Sequence, residues 1–279
     1  MCKEGNRKKR IKKAIVLLFI LIFLGAFFYW QNNDVVVTKY DYTNTEIPVE
    51  FDGFRILQVS DLHNNEFGKD QEVLVSLTQK IVPDIIVVTG DLIDSNNTDI
   101  EAAMEYIRQA VLIAPVYFVT GNHEMWSEQY TALAAELVKC DVAILDNKRI
   151  ILTKNGAEIS LAGLPDGDNI SNDSEKVFDS PNEGFCILLS HRPELLDEYA
   201  QKDVDLVFAG HAHGGQFRIP YLGGLYAPNQ GLFPKYTSGV YTDADTTMIV
   251  SRGLGNSVIP VRVFNRPKLV VVTLREGCL

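Results

Sequence analysis

The amino-acid sequence predicts an α/β domain, in which buried strands and amphipathic helices alternate along the chain. In each of three segment pairs, an apolar run rich in Val or Ile precedes a stretch whose apolar residues recur at helical spacing. The pairs are 55–60 (RILQVS) with 70–81, 84–90 (DIIVVTG) with 99–112, and 115–121 (PVYFVTG) with 127–139. Apolar residues make up 46% of the chain and charged residues 22%, which allows a large core.

The second half of the sequence predicts mainly strands. Two short runs are typical of an antiparallel meander and four apolar runs follow, at 144–153, 157–164, 185–190, 203–210, 246–251 and 268–274. The polar, turn-rich stretch 166–182 is interpreted as a surface loop. We assign one domain to 54–279, preceded by an exit segment and first strand at 31–53.

The N-terminus predicts a membrane anchor at 14–30, preceded by a basic cytoplasmic tail at 1–13. The anchor has seventeen residues without a charge, close to the lower limit of the roughly 17–25 that cross a bilayer. A cleaved signal peptide is the alternative, but the apolar run ends in the bulky AFFYW rather than in small residues. The basic tail favours a single-pass protein of the cell membrane whose domain lies outside the cytoplasm.

Charge and cysteine content exclude other classes of protein. The chain has 26 basic and 36 acidic residues, and because 1–30 hold seven basic and one acidic residue, the remainder has 19 and 35, a formal charge of −16. A body this acidic disfavours nucleic acid as a partner. Four scattered cysteines, Cys2, Cys140, Cys186 and Cys278, predict neither a disulfide framework nor a thiolate metal site.

Every histidine of the chain follows closely on a predicted strand, together with acidic and amide residues. Because the carboxyl ends of strands form the ligand crevices of open α/β sheets, we expect these side chains to meet. The candidate metal ligands are Asp61, His63, Asp91, Asn122, His191, His211 and His213.

Imidazole nitrogen combined with carboxylate oxygen suits Mn, Fe, Zn, Ni or Co, whereas Ca and Mg sites use oxygen and soft-metal sites use thiolates. Seven candidate ligands are too many for one tetrahedral ion and fit two ions that share a carboxylate. Two ions about 3.5–4 Å apart can bind both the attacking and the departing oxygen of a displacement at phosphorus. The residues therefore predict phosphoester hydrolysis.

The series DLH, GDLID, GNHE, SH and GHAHGGQ resembles the calcineurin-like metallophosphoesterases, in the order that this family uses. The resemblance covers roughly 55–274, and the stretches GLYAPNQGLFPKY and SRGLGNSVIPVRVFNRP are similar to the bacterial branch with a single N-terminal transmembrane segment. It implies a four-layer αββα sandwich, in which two β-sheets lie face to face with helices outside.

The resemblance also implies a role for each residue. Asp61, His63 and His213 would bind the first metal, Asn122, His191 and His211 the second, and Asp91 would bridge them. A hydroxide shared by two divalent ions, Mn, Fe or Zn, would attack phosphorus. His123 would stabilise or protonate the leaving oxygen, and Asp94 would orient the ring of His123.

Some residues keep two interpretations. Glu124 is either a support for the metal ligands or a structural acid. Arg252 and Asn256 either contact substrate phosphate or belong to a glycine-rich turn. Ser95 replaces the arginine of the Ser/Thr protein phosphatase branch, which disfavours that activity, and Ala212 replaces a Thr or Ser whose side chain is not a ligand.

The sequence thus predicts a membrane-anchored phosphoester hydrolase. Because the anchor at 14–30 keeps the site near the bilayer, lipid-linked or cell-envelope phosphoesters are the expected substrates, pyrophosphates of the UDP-diacylglucosamine type included. A non-catalytic envelope receptor with a retained metal site is one alternative, although no ligand is missing. A metal-dependent nuclease is the other, although the acidic body disfavours it.

Overall fold

Two six-stranded sheets form the centre of the fold in the computed structural model, which describes residues 2–167, 170, 172–179, 184–256 and 260–277. Sheet A has the strand order β1 (Val36–Asn44), β16 (Lys268–Glu276), β2 (Arg55–Val59), β3 (Ile85–Thr89), β4 (Val116–Val119) and β5 (Ala143–Ile144). Sheet B has the order β14 (Gly239–Asp243), β15 (Thr246–Val250), β9 (Leu206–Ala209), β8 (Cys186–Leu189), β7 (Ala157–Gly163) and β6 (Lys148–Lys154).

Both sheets have a parallel centre. Strands β2 to β5 run parallel in sheet A, and β7, β8, β9 and β15 run parallel in sheet B. Strand β16 is antiparallel to β2 and parallel to β1, while β6 and β14 close the edges of sheet B as antiparallel strands. Parallel strands have their carboxyl ends at one edge, so the loops after β2, β3, β4, β8 and β9 converge.

Helices connect the strands of sheet A, as the sequence predicts. The helices of the chain are α1 (Cys2–Asn33), α2 (Glu72–Ile81), α3 (Ile100–Ala110), α4 (Asn122–Trp126), α5 (Tyr130–Lys139), α6 (Asn172–Glu175) and α7 (Leu196–Tyr199). Helix α3 shows why such a segment folds: the Asp99 side chain accepts a hydrogen bond from the Ala102 N–H and caps the amino end. Its apolar residues Met104 and Ile107 then fall on one buried face.

The layers are those of a sandwich. Between the sheets, Ile56 and Val87 of sheet A share one apolar core with Leu161 and Phe208 of sheet B. The other face of sheet A packs against α2, α3 and α5. The outer face of sheet B is covered by the short helix α7, chiefly through its Tyr199, and by loops. The α/β class and the facing sheets are confirmed, with the outer layer on sheet B less helical than the resemblance implies.

Two predictions fall partly on residues outside the described ranges. The loop predicted at 166–182 is described only in part, and that part contains α6 and a single 3-10 turn at Lys176–Phe178. Cys278 also lies outside the described residues. Within the described part of the chain, neither Cys140 nor Cys186 is in a disulfide, and both pack in apolar surroundings.

Helix α1 continues three residues past the predicted end of the anchor, and its segment Arg7–Asn33 is long and apolar enough to cross a membrane. Its carboxyl end is attached to the domain. Phe27 packs edge-on against Phe264 with ring centroids 5.8 Å apart, and the Asn32 side chain accepts a hydrogen bond from the Arg262 N–H at 2.9 Å. Four short strands form two hairpins, β10 (Arg218–Ile219) with β11 (Gly223–Gly224) and β12 (Tyr226–Ala227) with β13 (Gly231–Leu232). The first hairpin lies beside Phe264 at this junction.

Candidate metal centre

The seven candidate ligands meet where the carboxyl ends of the two sheets converge. They form two groups that share Asp91. Within each group, the ligand atoms of the Asp and His residues lie within 4.8 Å of one another. The first group is Asp61, His63, Asp91 and His213, and the second is Asp91, His191 and His211. Asn122 joins the second group, since its Oδ1 lies 3.1 Å from His191 Nε2. This division is the one that the resemblance implies.

The backbone of the site is strained. Five candidate ligands have positive φ, with values of 46° to 64°, at Asp61, His63, Asp91, His211 and His213. Residues with a Cβ adopt this left-handed region rarely, and such conformations cluster at functional sites. Here the strain turns consecutive side chains into one crevice, because each ligand lies at the sharp turn that follows a strand.

Glycines allow the strand ends to approach one another. A Cβ at Gly121 would lie 2.3 Å from Asp91 Oδ1, and a Cβ at Gly90 would lie 2.6 Å from the Gly121 Cα and from His191 Nδ1. No side chain fits at these distances. The glycines of the GDLID and GNHE motifs are therefore needed for the close packing of the loops after β3 and β4.

The first group of ligands presents lone pairs to a common centre. His63 Nε2 lies 3.1 Å from His213 Nε2 and 3.6 Å from Asp91 Oδ2, so two imidazole nitrogens and a carboxylate face each other. Burial lowers the pKa of His63 well below its ordinary value and also lowers the pKa of His213. Both rings are therefore neutral at pH 7, which is the form that binds a metal ion. These residues fit a divalent cation.

In the second group, the ring of His191 is held in one orientation. Its Nδ1–H donates to the carbonyl oxygen of Thr89 at 2.7 Å, and this leaves Nε2 facing Asp91 Oδ2 at 3.2 Å. Burial, the largest single effect, lowers the pKa of His191, but the charge and hydrogen bond of Asp91 together with the charges of Asp61 and Asp166 outweigh it and raise the pKa to about 10. A proton between His191 and Asp91 thus relieves the repulsion between the lone pairs of Nε2 and Oδ2, and a divalent cation can take the place of that proton.

His211 is oriented in a similar way. Its Nε2–H donates to Asn229 Oδ1 at 3.3 Å, and its Nδ1 points to His191 Nε2 at 3.2 Å. Burial, followed by the positive charges of His191 and Arg192, lowers the pKa of His211 well below its ordinary value. The neutral ring therefore offers its Nδ1 lone pair to a cation in the second group.

Glu124 supports the loop that carries Asp91. Its carboxylate accepts four backbone N–H groups, those of Asp91, Leu92 and Ile93 at 2.8–3.1 Å and that of Gly121 at 2.8 Å. Burial and the neighbouring charge of Asp91 raise the pKa of Glu124 to about 8, while the N–H donors act in the opposite direction. Of its two sequence interpretations, the geometry favours support of the metal ligands.

His123 and Asp94 lie beside the first group. His123 Nδ1 accepts a hydrogen bond from the Ser95 N–H at 3.0 Å, whereas the nearest Asp94 oxygen lies 4.0 Å away. A neutral His123 therefore carries its proton on Nε2. Asp94 is about equally distant from His63 Nδ1, at 3.9 Å. Sequence reasoning missed the contact of Ser95, whose Oγ also lies 3.1 Å from His123 Nδ1. A backbone N–H leaves no mark in the residue type.

Two further buried residues were also missed. Arg262 is fully buried, and its guanidinium donates to the carbonyl oxygens of Arg252 and Gly255. Asn265 donates from Nδ2 to the carbonyl oxygen of His213 at 2.6 Å and so fixes the turn that carries this ligand. In the sequence, the only sign of these two residues is that they are polar and belong to the otherwise apolar run VRVFN, 261–265. Asn256, whose Oδ1 accepts from Arg262 Nε, belongs to the same network.

A cavity of about 250 Å³ opens onto the candidate ligands. His123 lines it, and Trp126, Tyr226 and Pro228 supply much of its apolar wall. Trp126 is 66% exposed, so an aromatic ring stands in the solvent at the mouth. Neither Arg252 nor Asn256 is among the residues that line this cavity.

Comparison with known proteins identifies the family. Residues 54–215, more than half of the chain, match the calcineurin-like phosphoesterases. The chain is 28% identical to the uncharacterized metallophosphoesterase YkuE of Bacillus subtilis, over 89% of this chain and 88% of the relative. It is 29% identical to the transmembrane protein with metallophosphoesterase domain of Bos taurus, over 98% of this chain and 65% of the relative.

Solved structures are more distant. A dimetal phosphatase from Danio rerio aligns with a TM-score of 0.44 and 13% identity, over 73% of this chain and 88% of that one. TT1561 of Thermus thermophilus aligns with a TM-score of 0.47 and 15% identity, over 72% of this chain and 90% of that one. On its family match and its curated relatives, the chain belongs to the calcineurin-like phosphoesterases, which use a binuclear metal centre, and is a hydrolase that acts on phosphoester bonds.

Proposed function

We propose that this hydrolase acts at a membrane surface on a lipid-linked or cell-envelope phosphoester, of which a UDP-diacylglucosamine-type pyrophosphate is one example. The observation that carries the proposal is the convergence of seven ligands in two groups that share Asp91, in a chain with an apolar helix at its amino end. Residues 14–30 would anchor the protein, and the basic tail at 1–13 favours a catalytic domain outside the cytoplasm.

The donor set fits two divalent transition-metal ions, which we propose to be Mn, Fe or Zn. One ion would be held by Asp61, His63 and His213, and the other by Asn122, His191 and His211. Asp91 would contribute to both sites. When bound, such ions acidify water and neutralise negative charge on phosphoryl oxygens. The carbonyl oxygen of Thr89 and the four N–H groups that hold Glu124 keep these ligands in place.

His123 is proposed as the catalytic acid. While Nδ1 accepts from the Ser95 N–H, the neutral ring carries its proton on Nε2 and can donate a hydrogen bond to the leaving oxygen on the cavity side. To transfer that proton, the ring must first gain a second proton on Nδ1, in place of the Ser95 contact. Asp94, 4.0 Å from Nδ1, would stabilise the positive charge of this doubly protonated ring, which is the form that can act as an acid. The role implied for Asp94 is therefore electrostatic, whereas the hydrogen bond that orients His123 comes from Ser95.

Exposed apolar side chains at the mouth of the cavity favour an amphipathic substrate. Met125, Trp126 and Tyr226 are all exposed there or next to it, at 53%, 66% and 46% of their surface. An acyl chain or another apolar group attached to the phosphoester would cover these side chains, whereas a small polar phosphate would leave them in water. A truncation of the rim, Trp126→Ala, should therefore raise KM for a lipid-linked substrate more than for a small diester.

The experiment uses the full chain in lipid nanodiscs, loaded with Mn²⁺. We expect about two metal ions per chain, as two-metal phosphoesterases hold, and hydrolysis of bis-p-nitrophenyl phosphate, with a lipid-linked pyrophosphate as the preferred substrate. Asp91→Asn should lose metal and activity. The exposed Asp245→Asn, the same chemical change far from the ligands, should lose neither.

Three outcomes would contradict the proposal. Bound metal without hydrolysis of diesters, monoesters or pyrophosphates would indicate the receptor alternative. Metal-dependent cleavage of single-stranded or duplex DNA, with lipid-linked pyrophosphates left intact, would indicate the nuclease. A reporter fused after Leu279 that is active only in the cytoplasm would exclude an outward-facing domain.

A further inference from the structure

A second cavity, of about 320 Å³, lies where α1 enters the domain. Three cationic side chains line it, Arg252, Arg266 and Lys268, and no carboxylate does. The remaining walls include Trp30 and Phe264. None of its lining residues is shared with the cavity of the metal centre, so the two are separate sites.

Among the described residues, two of the three cationic side chains have no carboxylate partner. Arg252 Nε and Lys268 Nζ both approach the hydroxyl oxygen of Ser238, at 3.1 and 3.3 Å, and within the described part of the chain neither forms an ion pair. Arg266, in contrast, pairs with Asp34 and lies over the ring of Trp30. Lys268 is only 5% exposed, so its ammonium group is buried beside another cation with a single hydroxyl as partner.

Such an arrangement costs free energy unless an anion is present. Burial, together with repulsion from Arg252 and Arg218, lowers the pKa of Lys268 to about 7. Burial and repulsion from Arg218 likewise lower the pKa of Arg252 to about 10. A buried charge without a partner is unfavourable, and a phosphate oxygen within the cavity would remove the penalty on both groups.

The position of the cavity indicates where the anion comes from. Trp30 is the last residue of the apolar run, and Phe27, one helical turn earlier, packs against Phe264 of the cavity wall. The hairpin next to Phe264 exposes Tyr221 and Leu222, so apolar side chains surround the helix end on the domain as well. Trp and Tyr prefer the headgroup level of a bilayer. The cavity thus opens at the depth where lipid phosphates lie.

We propose that this cavity binds the phosphate headgroup of an anionic phospholipid, in the leaflet at the carboxyl end of α1. Arg252 and Lys268 would contact the phosphate, Arg266 would hold Trp30 at the edge of the site, and Tyr221, Leu222 and Phe264 would rest on the acyl region. The inference requires α1 to lie in the membrane but does not depend on the metal centre. Its consequence is a domain held against the bilayer in one orientation.

The test measures lipid selectivity at Trp30. The chain has two tryptophans, so Trp126→Phe leaves Trp30 as the only tryptophan, whose emission is excited selectively at the red edge of its absorption. The full-length protein is placed in phosphatidylcholine nanodiscs that contain increasing amounts of brominated phosphatidylglycerol, or of brominated phosphatidylcholine as the reference. Since each cation near a membrane surface contributes roughly a fivefold preference for anionic lipid, we expect phosphatidylglycerol to quench Trp30 at a severalfold lower mole fraction.

Variants assign the preference to the cavity. Lys268→Met should reduce the preference for phosphatidylglycerol about fivefold. The double variant Lys268→Met with Arg252→Gln should abolish this preference, whereas Lys268→Arg should retain it. Lys39→Met, which removes an exposed lysine from β1, is the matched control and should leave it intact. Lys268→Met removes an unpaired buried charge and is therefore expected to fold even if the double variant does not.

Three results would overturn the inference. An unchanged preference in Lys268→Met would exclude the cavity as its origin, and an equal loss in Lys39→Met would indicate general surface charge. Loss of the preference in millimolar inorganic phosphate would indicate a general anion site rather than a lipid site. Hydrolysis of bis-p-nitrophenyl phosphate by the same preparations reports separately on the proposed function, because Lys268→Met should leave that rate unchanged.

Discussion

Gly121→Ala tests the metal centre without removing any ligand. The added Cβ would lie 2.3 Å from Asp91 Oδ1 and 2.6 Å from the Asp91 backbone nitrogen. Gly121 has a φ of −105°, which alanine adopts without strain. The substitution therefore acts through one steric contact, on the carboxylate that both ligand groups share.

The size of the effect follows from the geometry. An ordinary carbon–oxygen contact is about 3.5 Å, so Asp91 Oδ1 must move by about 1 Å from the 2.3 Å position. A displacement of about 1 Å in a catalytic group can cost roughly 10²-fold in rate, which corresponds to about 2.7 kcal/mol. Because Asp91 belongs to both groups, occupancy of both metal positions should fall together.

The assay measures metal per chain after dialysis against graded free Mn²⁺, and kcat/KM for a small diester, on the full chain in detergent. Overpacking costs about 1–3 kcal/mol of stability, so thermal unfolding is followed in parallel. Gly25→Ala is the control, because a Cβ there meets no atom within 4 Å. Wild-type metal content and activity in Gly121→Ala would refute the assignment of Asp91 as the shared ligand.

Three further substitutions test neighbouring parts of the structure. Glu124→Ala should lower the free energy of unfolding, measured by urea titration, by at least about 3 kcal/mol, since four buried N–H groups lose their acceptor. The control Glu128→Ala changes an exposed residue and should leave this free energy unchanged. His123→Asn should keep its metal but lower kcat about 10²–10⁴-fold, and most for substrates with poor leaving groups; a uniform loss would argue against an acid. The folded-state pKa of Lys268, about 7, lies below its unfolded value of about 10.4, so the unfolded chain binds more protons and stability should rise between pH 7 and 10. Calorimetry of Lys268→Met should show a flatter profile over that range.

The candidate ligands could be picked out of the sequence because their chemistry is tied to residue type. Histidine and aspartate that follow apolar runs are visible in the printed letters, and the ends of parallel strands bring them together without any knowledge of the loops. The strands β2, β3 and β4 and their helices were predictable for the same reason, since periodicity is local. Helices α2, α3 and α5 begin one to three residues later than predicted, as the cap at Asp99 illustrates, and α3 also ends two residues earlier.

Long-range pairing was not predictable. Strand β1 lies parallel to β16, so that Val36 is paired with Lys268, 232 positions later in the chain. Nothing within either segment specifies this partner, since both are simply extended and half apolar. The hairpins β10–β11 and β12–β13 were likewise hidden inside a run that the sequence marks only by its glycines and prolines.

The groups that hold the ligands were missed for a different reason. His191 is oriented by the carbonyl oxygen of Thr89, and His123 by the N–H of Ser95. Every residue has these backbone groups, so their use leaves no trace in composition or spacing. Glu124 is the exception, because it supports the site through its side chain, and it is also the supporting residue that sequence reasoning did raise.

One such hidden connection links the candidate membrane helix α1 to the candidate metal centre. The Asn32 side chain accepts the Arg262 N–H, Arg262 donates to the Gly255 carbonyl oxygen, and the Gly255 N–H donates to the Asp61 carbonyl oxygen at 2.6 Å. Helix α1 is therefore part of the support of a candidate metal ligand as well as a candidate anchor. A soluble version that begins after Asn33 would lose the first of these contacts, so the anchor and the site have to be studied in one chain.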